Sequence, residues 1–396
     1  MKPKFGLADI IRPVLQQYNN DNRLTANQQK ALTDIVSCRT ASLGGHIERC
    51  DNCKKELIAY NSCRNTNCPK CGGTKRIEWM LRRKAEMPPV PCFHIVFTVP
   101  DTLNGLFLKW PKPMYGILFR AAWETIGSLS ENPKYLGAKP GMIAALHTWG
   151  QNLSLHPHVH CIVPGGGING QNQWILAKKI KSRYLFPKRV LSKLFRGIFT
   201  HKLMKLHQKG EICMSKPIDP KNKGLHGLYR HAWVVNCQAP HKGAHADKLI
   251  GYLSHYINRT AISNERIIDI SGDTVTFAYK DYRDSQHKQM PLGRQEFIRR
   301  FLMHVLPKGF RKIRNYGFLS NRKKRISIFC INLTVGNYEK KVAVPSDWKG
   351  IYRMHHGSEP SVCPFCRKGA METKISFNPI RGDPKGFTDT LEKMIN

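Results

Sequence analysis

Acidic residues are scarce in this sequence of 396 residues. Aspartate and glutamate together number 27, against 64 lysines and arginines, so the formal net charge is +37. A protein surface does not need such an excess of positive charge to be solvated. The excess fits a partner of dense negative charge, such as nucleic acid or an anionic membrane. A basic, ribosome-like protein without enzymatic activity would have the same composition, so charge alone does not decide between these readings.

Long hydrophobic runs are also missing. No apolar stretch reaches the roughly 18 residues that cross a bilayer, and Met1 to Ile10 lacks the apolar core of a signal peptide. Amphipathic membrane segments are not evident either, so nucleic acid is favoured over a membrane as the partner. We expect a cytoplasmic protein.

Cysteines are not scarce, but their spacing argues against disulfides. Of the 13 cysteines, Cys50 and Cys53 form one Cys-x-x-Cys pair, and fourteen residues later Cys68 and Cys71 form another. Closely spaced pairs of this kind are typical of metal binding in a reducing compartment. Because two pairs complete a tetrahedral thiolate site, the sequence predicts a structural Zn²⁺ bound by these four cysteines.

Other residues near this segment leave the ligand set open. His46 and Cys63 could each replace one cysteine, or together help to hold a second ion, although Cys63 could equally be a small buried residue. The pair Cys363 and Cys366 near the C-terminus is a weaker signal, because one pair supplies only two ligands. Nearby donors that could complete a second zinc site are His355, His356 and, farther off, Cys330.

Regular patterns of apolar residues predict helices and strands along the rest of the chain. Residues 1–45 are predicted to be helical, and Thr25 with Gln28 forms a capping box before a helix over 26–37. Strands are predicted at 92–100, 141–149, 157–164, 231–237 and 272–281, and helices at 112–131 and 246–259.

Two histidines of one predicted strand form the candidate catalytic metal site. His158 and His160 alternate with Val159, and residues two apart on a strand point to the same face. If the hairpin turns symmetrically about 152–153, His147 lies opposite His158 and becomes the third ligand. The alternatives for this third position are His156 and Gln151. An isolated His-x-His is more often a satisfied surface pair, so the motif needs support from elsewhere.

That support comes from a pair of tyrosines. Tyr252 and Tyr256 are four residues apart on the predicted helix 246–259, so both project from one helix face. A core aromatic pair has the same spacing. The basic surroundings and the upstream metal site favour a functional pair instead. The flanking basic residues are His241, Lys242, His245, Lys248, His255 and Arg259.

The combination of these motifs resembles the HUH endonucleases, named for a histidine–hydrophobic–histidine strand. More narrowly it resembles the two-tyrosine rolling-circle transposases of bacterial insertion sequences, which are related to Helitrons. The matching segments run in the family's order through most of the chain. They are Asn61-Ser-Cys-Arg-Asn, Cys68-Pro-Lys-Cys71, Phe93-His-Ile-Val-Phe-Thr-Val-Pro100, His156-Pro-His-Val-His160, Gly251-Tyr-Leu-Ser-His-Tyr256, Ala261-Ile-Ser-Asn264 and Tyr316-Gly-Phe-Leu-Ser-Asn321.

The resemblance implies an α+β fold. A central antiparallel sheet of ferredoxin-like or RRM-like type would carry the histidine strand, with the tyrosine helix packed over it. We expect three consecutive domains: a helical and zinc-binding module at 1–85, the nuclease and strand-transferase domain at 86–300, and a basic C-terminal region at 301–396 with a possible second zinc knuckle.

The resemblance also implies roles for individual residues. His158, His160 and His147 would hold Mg²⁺ or Mn²⁺. Tyr252 and Tyr256 would attack DNA to give 5′-phosphotyrosine intermediates and strand transfer. This chemistry needs no carboxylate triad, and the acid-poor chain offers no clear candidate for one. A replication initiator or relaxase of the same chemistry and a non-catalytic zinc-dependent DNA-binding regulator are the alternatives.

The expected partner is single-stranded DNA at the element's ends and at its target, in the bacterial nucleoid, with the host replication machinery as a further partner. Basic stretches at 174–210 and 306–325 would follow the DNA backbone, and aromatic residues of the second stretch could stack on bases or pack in the core. The basic residues expected to contact DNA are Arg49, Arg64, Lys70, Lys178, Lys179, Arg311, Lys312, Arg314 and Arg322; the aromatic ones are Phe310, Tyr316 and Phe318.

Overall fold

The computed structural model describes residues 3–177, 185–214, 228–229, 233–238, 246–257, 260–281, 284–336, 343–380 and 386–390. At 246 and 255–257 this description covers the helix but not the side chains. Within the described residues, no helix is long and apolar enough to cross a membrane.

The described helices fall mostly where the sequence predicts them. Thr25 accepts a hydrogen bond from the backbone N–H of Gln28, and the Gln28 side chain accepts one from the backbone N–H of Thr25, which confirms the capping box. The helices are α1 Leu7–Ile11, α2 Leu15–Asp21, α3 Ala26–Ser37, α4 Gly73–Glu86, α5 Asn104–Lys109, α6 Pro111–Glu131, α7 Lys188–Gln208, α8 Ala246–Ile257, α9 Arg294–Leu302, α10 Lys324–Thr334 and α11 Trp348–His356.

Thirteen strands are described, and every pairing between them is antiparallel. The strands are β1 Gly45–Cys50, β2 Glu56–Tyr60, β3 Cys92–Thr98, β4 Lys139–Trp149, β5 Leu155–Pro164, β6 Gly166–Ile168, β7 Trp174–Leu176, β8 Val235–Gln238, β9 Ile267–Ser271, β10 Thr274–Lys280, β11 His287–Gly293, β12 Ile313–Gly317 and β13 Met371–Phe377. The fold is therefore α+β, as predicted.

The chain forms two compact units, and both are discontinuous in sequence. The first comprises Met1–Leu81, Asn258–Val305 and Ala343–Asn396, and the second comprises Arg82–Ile257 and Leu306–Val342. This division differs from the three consecutive domains expected from the sequence. The physical reason is that pairing and packing join segments that are far apart along the chain.

Long-range contacts hold the first unit together. Strand β13 pairs with β1, and β2 completes a three-stranded sheet on the other side of β1. The backbone N–H of Leu7 donates to the Asn264 side chain at 3.1 Å, and the buried Arg294 guanidinium donates to the carbonyl of Ile10. A second three-stranded sheet has the order β11-β10-β9.

The second unit is built on a seven-stranded sheet. Its order is β7-β6-β4-β5-β3-β8. Strand β6 pairs with β4 only at residues 139–140, and β12 pairs with the following residues 141–145 of β4. Helix α6 begins at Pro111, a residue suited to the first helical turn, and its apolar side chains are buried. Helix α6 packs on β4 and β5 and also contacts α7, so one face of the sheet is covered.

Candidate active site

The β4–β5 hairpin brings three histidines together. Its turn is closed by the backbone N–H of Gly150, which donates to the carbonyl of Ser154 at 2.9 Å. The resulting register pairs His147 with His158, which confirms the predicted cross-strand position. His160 lies two residues along the same face as His158, and one ligand nitrogen from each ring lies within 4.8 Å of the others.

Hydrogen bonding sets the orientation of the His158 ring. Its Nδ1 lies 2.6 Å from the carbonyl oxygen of His156, and a carbonyl can only accept, so Nδ1 carries the proton. Nε2 of His158 therefore presents a lone pair, 3.1 Å from Nε2 of His160. Burial lowers the pKa of His158 to about 4 and holds the pKa of His160 well below its usual value. The neutral imidazole is the form of histidine that binds a metal ion, and converging lone pairs allow two rings to bind the same ion.

A fourth histidine joins the group from β3. Nε2 of His94 lies 2.9 Å from Nδ1 of His160, and the two rings stack with centroids 5.1 Å apart. His94 is buried, which lowers its pKa, and a side-chain hydrogen bond with Gln238 acts in the opposite direction. Sequence reasoning assigned His94 no role. The sequence did contain one indication of a role: His94 is a single histidine inside an otherwise apolar strand. A polar side chain that is buried in this way needs a hydrogen-bonding partner.

Of the alternatives for the third ligand, the structure brings His147 into the group and leaves the others out. His156 is exposed and offers its carbonyl to His158, and neither His156 nor Gln151 belongs to the cluster of ligand atoms. The His147 ring stacks on Trp149 with centroids 5.0 Å apart.

Helix α8 packs over β3 and β4 and carries the tyrosines. The Tyr252 ring lies edge-on to His94, with centroids 5.8 Å apart, and the side chain is 47% exposed. Its neighbour Leu253 is buried, so the helix faces the sheet through its apolar residues. Tyr252 is thus not part of a core aromatic pair. Tyr256 lies on α8, but its side chain is outside the described part of the structure.

The basic stretch at 306–325 is only partly a free surface. Arg311 and Arg322 are exposed, whereas Arg314 is half-buried over the Phe119 ring at 4.3 Å. Lys312 lies over the Trp149 ring at 5.8 Å, and burial lowers the pKa of its ammonium to about 8.

The aromatic residues of this stretch pack against other rings. Tyr316 stacks on Trp123 with centroids 5.2 Å apart, and the buried Phe318 contacts Trp174. Phe310 contacts Tyr115 and Phe119. The sequence left open whether these aromatic residues stack on bases or pack in the core. Phe318 packs in the core, and the Tyr316 ring already stacks on Trp123.

The cysteines form two groups of four, but not in the combination expected from the sequence. One group contains Cys38, Cys63, Cys68 and Cys71; the other contains Cys50, Cys53, Cys363 and Cys366. The expectation that Cys50 and Cys53 share one zinc with Cys68 and Cys71 is wrong. Nearness in sequence does not decide the partners here, because β13 pairs with β1 and so places the preceding Cys363 and Cys366 beside Cys50.

The first group includes a ligand candidate that sequence reasoning missed. Sγ of Cys38 lies 3.5 Å from Sγ of Cys71, and Sγ of Cys63 lies 3.6 Å from Sγ of Cys71. A hydrogen bond with Cys68 and further hydrogen bonds lower the pKa of Cys38 to about 5, although burial opposes them. Cys38 follows α3 directly and lacks a Cys-x-x-Cys partner, so spacing did not reveal it. His46 contacts Glu48 and belongs to neither group.

Sulfur separations of this size fit zinc. Four thiolates bound at about 2.3 Å to a tetrahedral ion lie about 3.8 Å from one another. The basic residues Arg49, Arg64 and Lys70 around these groups are exposed. Lys178 and Lys179, which were also expected to contact DNA, lie outside the described residues.

Comparison with known proteins adds an independent line of evidence. Residues 10–99 match the family described as "Transposase zinc-binding domain", and residues 141–326 match the family described as "Putative transposase". No solved structure matches the chain.

Two relatives extend the similarity over most of the chain. The chain is 38% identical over 391 residues to "Putative transposase y4qJ" of Sinorhizobium fredii, covering 96% of this chain and 97% of that protein. It is 29% identical over 308 residues to "Transposase for insertion sequence element IS801" of Pseudomonas savastanoi pv. phaseolicola, covering 74% of this chain and 70% of that protein.

Proposed function

The chain belongs to the IS91-type transposases, and from that premise we propose that it cuts and rejoins single-stranded DNA with tyrosine nucleophiles beside a histidine-bound divalent ion. As a transposase it is an enzyme whose substrate is DNA. Two linked contacts carry the proposal: His147, His158 and His160 form one group, and Tyr252 contacts His94, which lies 2.9 Å from His160.

His147, His158 and His160 are the proposed ligands of a Mg²⁺ or Mn²⁺ ion. One ligand nitrogen of each ring lies within 4.8 Å of the others, and burial keeps the His158 and His160 rings neutral. Three protein ligands would leave coordination positions for phosphate oxygens and water. Imidazole suits Mn²⁺ better than Mg²⁺, so activity with Mn²⁺ is expected. When bound, such an ion polarises the scissile phosphate and neutralises the charge that develops on it.

The His94 ring contacts the proposed ligand His160 on the side away from the proposed ion. If Nδ1 of His160 donates a hydrogen bond to Nε2 of His94, then Nε2 of His160 carries no proton and would present its lone pair to the ion. The hydrogen bond with Gln238 in turn orients His94. These contacts would fix both the tautomer and the direction of the ligand.

Tyr252 is the proposed nucleophile. A phenol has a pKa near 10 and is a poor nucleophile unaided, which is why its place near the histidines matters. The tyrosine hydroxyl gives its proton to solvent water, its oxygen forms a bond to phosphorus, and the bond from phosphorus to the 3′ oxygen breaks. The 3′ oxygen takes up a proton, so the products are a 5′-phosphotyrosine and a free 3′-OH. Because the covalent bond conserves the phosphodiester energy, another 3′-OH can reverse the step and join strands.

Tyr256 is the proposed second nucleophile, one helical turn after Tyr252. Two tyrosines permit two covalent linkages at once, one to a donor strand and one to a target strand. The spacing of four residues on α8 supports this role.

The half-buried Lys312 and several exposed cations are the proposed contacts to the DNA backbone. Lys312 lies close to the proposed metal site: it lies over the Trp149 ring, and that ring stacks on the proposed ligand His147. A phosphate near the ion would hold the Lys312 ammonium in its charged form despite burial. The other described cations proposed for this role are Arg49, Arg64, Lys70, Arg311 and Arg322.

The first thiolate group is the proposed structural zinc site. Cys38, Cys63, Cys68 and Cys71 would complete a closed tetrahedron with no open coordination position, so this zinc would hold the module together rather than take part in catalysis.

A covalent-adduct experiment tests the proposal. The full-length protein is incubated with labelled single-stranded DNA from either end of its element and Mn²⁺, and SDS-stable protein–DNA adducts are measured. We expect an adduct that disappears in the His158→Ala/His160→Ala variant and in the Tyr252→Phe/Tyr256→Phe variant. Tyr279→Phe, which removes a phenol from β10, is the control and should leave the adduct unchanged.

Two outcomes would contradict the proposal. An adduct that persists in the double phenylalanine variant would mean that another residue is the nucleophile. Absence of any adduct with both ends, in Mn²⁺ and in Mg²⁺, from protein that still binds the DNA would favour a non-catalytic DNA-binding regulator.

A further inference from the structure

Four cysteines from opposite ends of the sequence meet beside strand β1. Sγ of Cys50 lies 3.7 Å from Sγ of Cys366, and Sγ of Cys53 lies 3.7 Å from Sγ of Cys363. All four sulfur atoms lie within 4.8 Å of one another. The closest separations therefore match the roughly 3.8 Å that a tetrahedral zinc–thiolate site imposes on its sulfurs.

The two Cys-x-x-Cys loops of this group share one backbone feature. In each loop the residue after the second cysteine has a left-handed backbone: Lys54 with φ of 61° and Arg367 with φ of 56°. The backbone N–H of Cys53 donates to Sγ of Cys50, the first cysteine of its loop, and the N–H of Gly369 donates to Sγ of Cys366, the second cysteine of the other, at 3.4 Å in both cases. Such donors favour the thiolate over the thiol, and the thiolate is the form that binds a metal.

We propose that Cys50, Cys53, Cys363 and Cys366 bind a second Zn²⁺ ion, which fastens the C-terminal segment 343–380 to the N-terminal zinc-binding module. The two matched family regions, 10–99 and 141–326, both end before this segment. A second zinc ion would hold the first unit together whether or not the tyrosine chemistry proposed above is correct.

Contacts outside the four sulfurs also position the second loop. Strand β13 pairs with β1, and its register places Met371 opposite Cys50. Asp51 forms two hydrogen bonds with Ala370. The backbone N–H of Asp51 donates to the Ala370 carbonyl at 3.1 Å, and the Asp51 carboxylate accepts from the Ala370 N–H at 2.8 Å. A side chain at Gly369 would lie 2.6 Å from Sγ of Cys50, so the loops approach this closely only because the residue is glycine.

The grouping of all four sulfurs favours a metal over two disulfides. A disulfide joins two sulfurs at about 2.05 Å and places no demand on a second pair. Here each pair of contacting sulfurs is longer than that by more than an ångström, and the two pairs share one centre. A closed four-thiolate site gives a physical reason for this arrangement, and it predicts a structural rather than a catalytic ion.

Residue-resolved alkylation of the unmutated, full-length protein tests the proposal without requiring a variant to fold. The zinc-loaded chain is treated with iodoacetamide in the absence of reductant, before and after a zinc chelator, and modified cysteines are identified by mass spectrometry. We expect Cys363 and Cys366 to react only after chelation. The exposed Cys213, which belongs to neither group, should react in both samples.

Three results would overturn the proposal. Alkylation of Cys363 and Cys366 before chelation would mean that free thiols are present. Failure to react after chelation followed by reaction after a disulfide reductant would identify disulfides. Failure to react under every non-denaturing condition would mean that burial, not a metal, protects them.

Zinc stoichiometry provides a second measurement. We expect two zinc ions per unmutated chain, one per chain in Cys363→Ser/Cys366→Ser, and two in the control Cys213→Ser. In the double serine variant, limited proteolysis should cut segment 343–380 at least about tenfold faster, while cleavage within 92–164 stays unchanged. A single zinc ion in the unmutated chain, or no loss of zinc in the double variant, would contradict the second site.

Discussion

At the scale of the residue, hydrogen bonds decide which nitrogen of His158 and of His160 faces the proposed ion. The carbonyl of His156 fixes the proton of His158 on Nδ1, and His94 contacts Nδ1 of His160. Both Nε2 atoms are then directed at the same point, 3.1 Å apart. A partner that hydrogen-bonds the other ring nitrogen of a ligating histidine fixes the tautomer and orientation of that ring, so His94 is a positioning residue in this arrangement.

Replacing His94 gives the prediction at this scale. We expect His94→Ala to weaken Mn²⁺ binding about 10- to 100-fold, because His160 loses the acceptor that orients it. His94→Gln, whose side-chain oxygen can still accept a hydrogen bond, should recover part of that affinity. Binding is measured by calorimetric titration of the full-length protein with Mn²⁺.

The control is His156→Ala, which removes an exposed imidazole but keeps the carbonyl that holds His158. Its Mn²⁺ affinity should equal that of the unmutated protein. If His94→Ala binds Mn²⁺ normally, or if His94→Gln is no better than His94→Ala, His94 does not act through the hydrogen bond to His160.

At the scale of the element, β4 is the strand on which the site depends. It pairs with β5 along one edge and with β12 and β6 along the other, so it lies inside the sheet. Gly317 ends β12 with φ of 60°, and an added Cβ there would overlap the carbonyl oxygen of Pro140. This close approach anchors the start of β4, the same strand that carries His147 near its other end.

Replacing Gly317 gives the prediction at this scale. Gly317→Ala should lower the free energy of unfolding by about 1 kcal/mol for the left-handed backbone and by about 1–3 kcal/mol more for the steric overlap. Gly309→Ala is the matched control, because its φ is 76° but nothing lies within 4 Å of an added Cβ. Urea unfolding measures both, and equal losses in the two variants would mean that the overlap relaxes without cost.

At the scale of the whole molecule, charge is the dominant property. A formal net charge of +37 favours any polyanion, and this part of binding depends on released counterions rather than on sequence. Half-buried cations such as Arg314, held over an aromatic ring, are less available than exposed ones. The number of phosphate contacts is therefore smaller than the net charge suggests.

Salt dependence gives the prediction at this scale. If about six phosphates are contacted, affinity for single-stranded DNA should fall by about 100-fold or more between 50 and 200 mM salt. Arg64→Ala should weaken binding and reduce the slope of log affinity against log salt by about 0.7. The control Lys288→Ala removes a cation already paired with Asp281 and Asp284, so it should change the slope less. Fluorescence anisotropy measures both, and equal slopes for all three proteins would remove Arg64 from the contact surface.

The sequence by itself determined those parts of the protein that depend on local geometry. The pairing of His147 with His158 followed from a short turn, because a hairpin fixes which residues face each other. The spacing of Tyr252 and Tyr256 followed from the helical repeat, and the affinity for a polyanion followed from composition.

Only the tertiary structure decided which distant groups meet. Cys50 and Cys53 join Cys363 and Cys366 because β13 pairs with β1, and no feature within either pair encodes that return of the chain. His94 reaches His160 because β3 lies beside β5, and Phe318 is buried because Trp174 packs on it. The physical reason is common to these cases: strand pairing and core burial are satisfied by any suitable partner, so sequence spacing does not reveal which one is used.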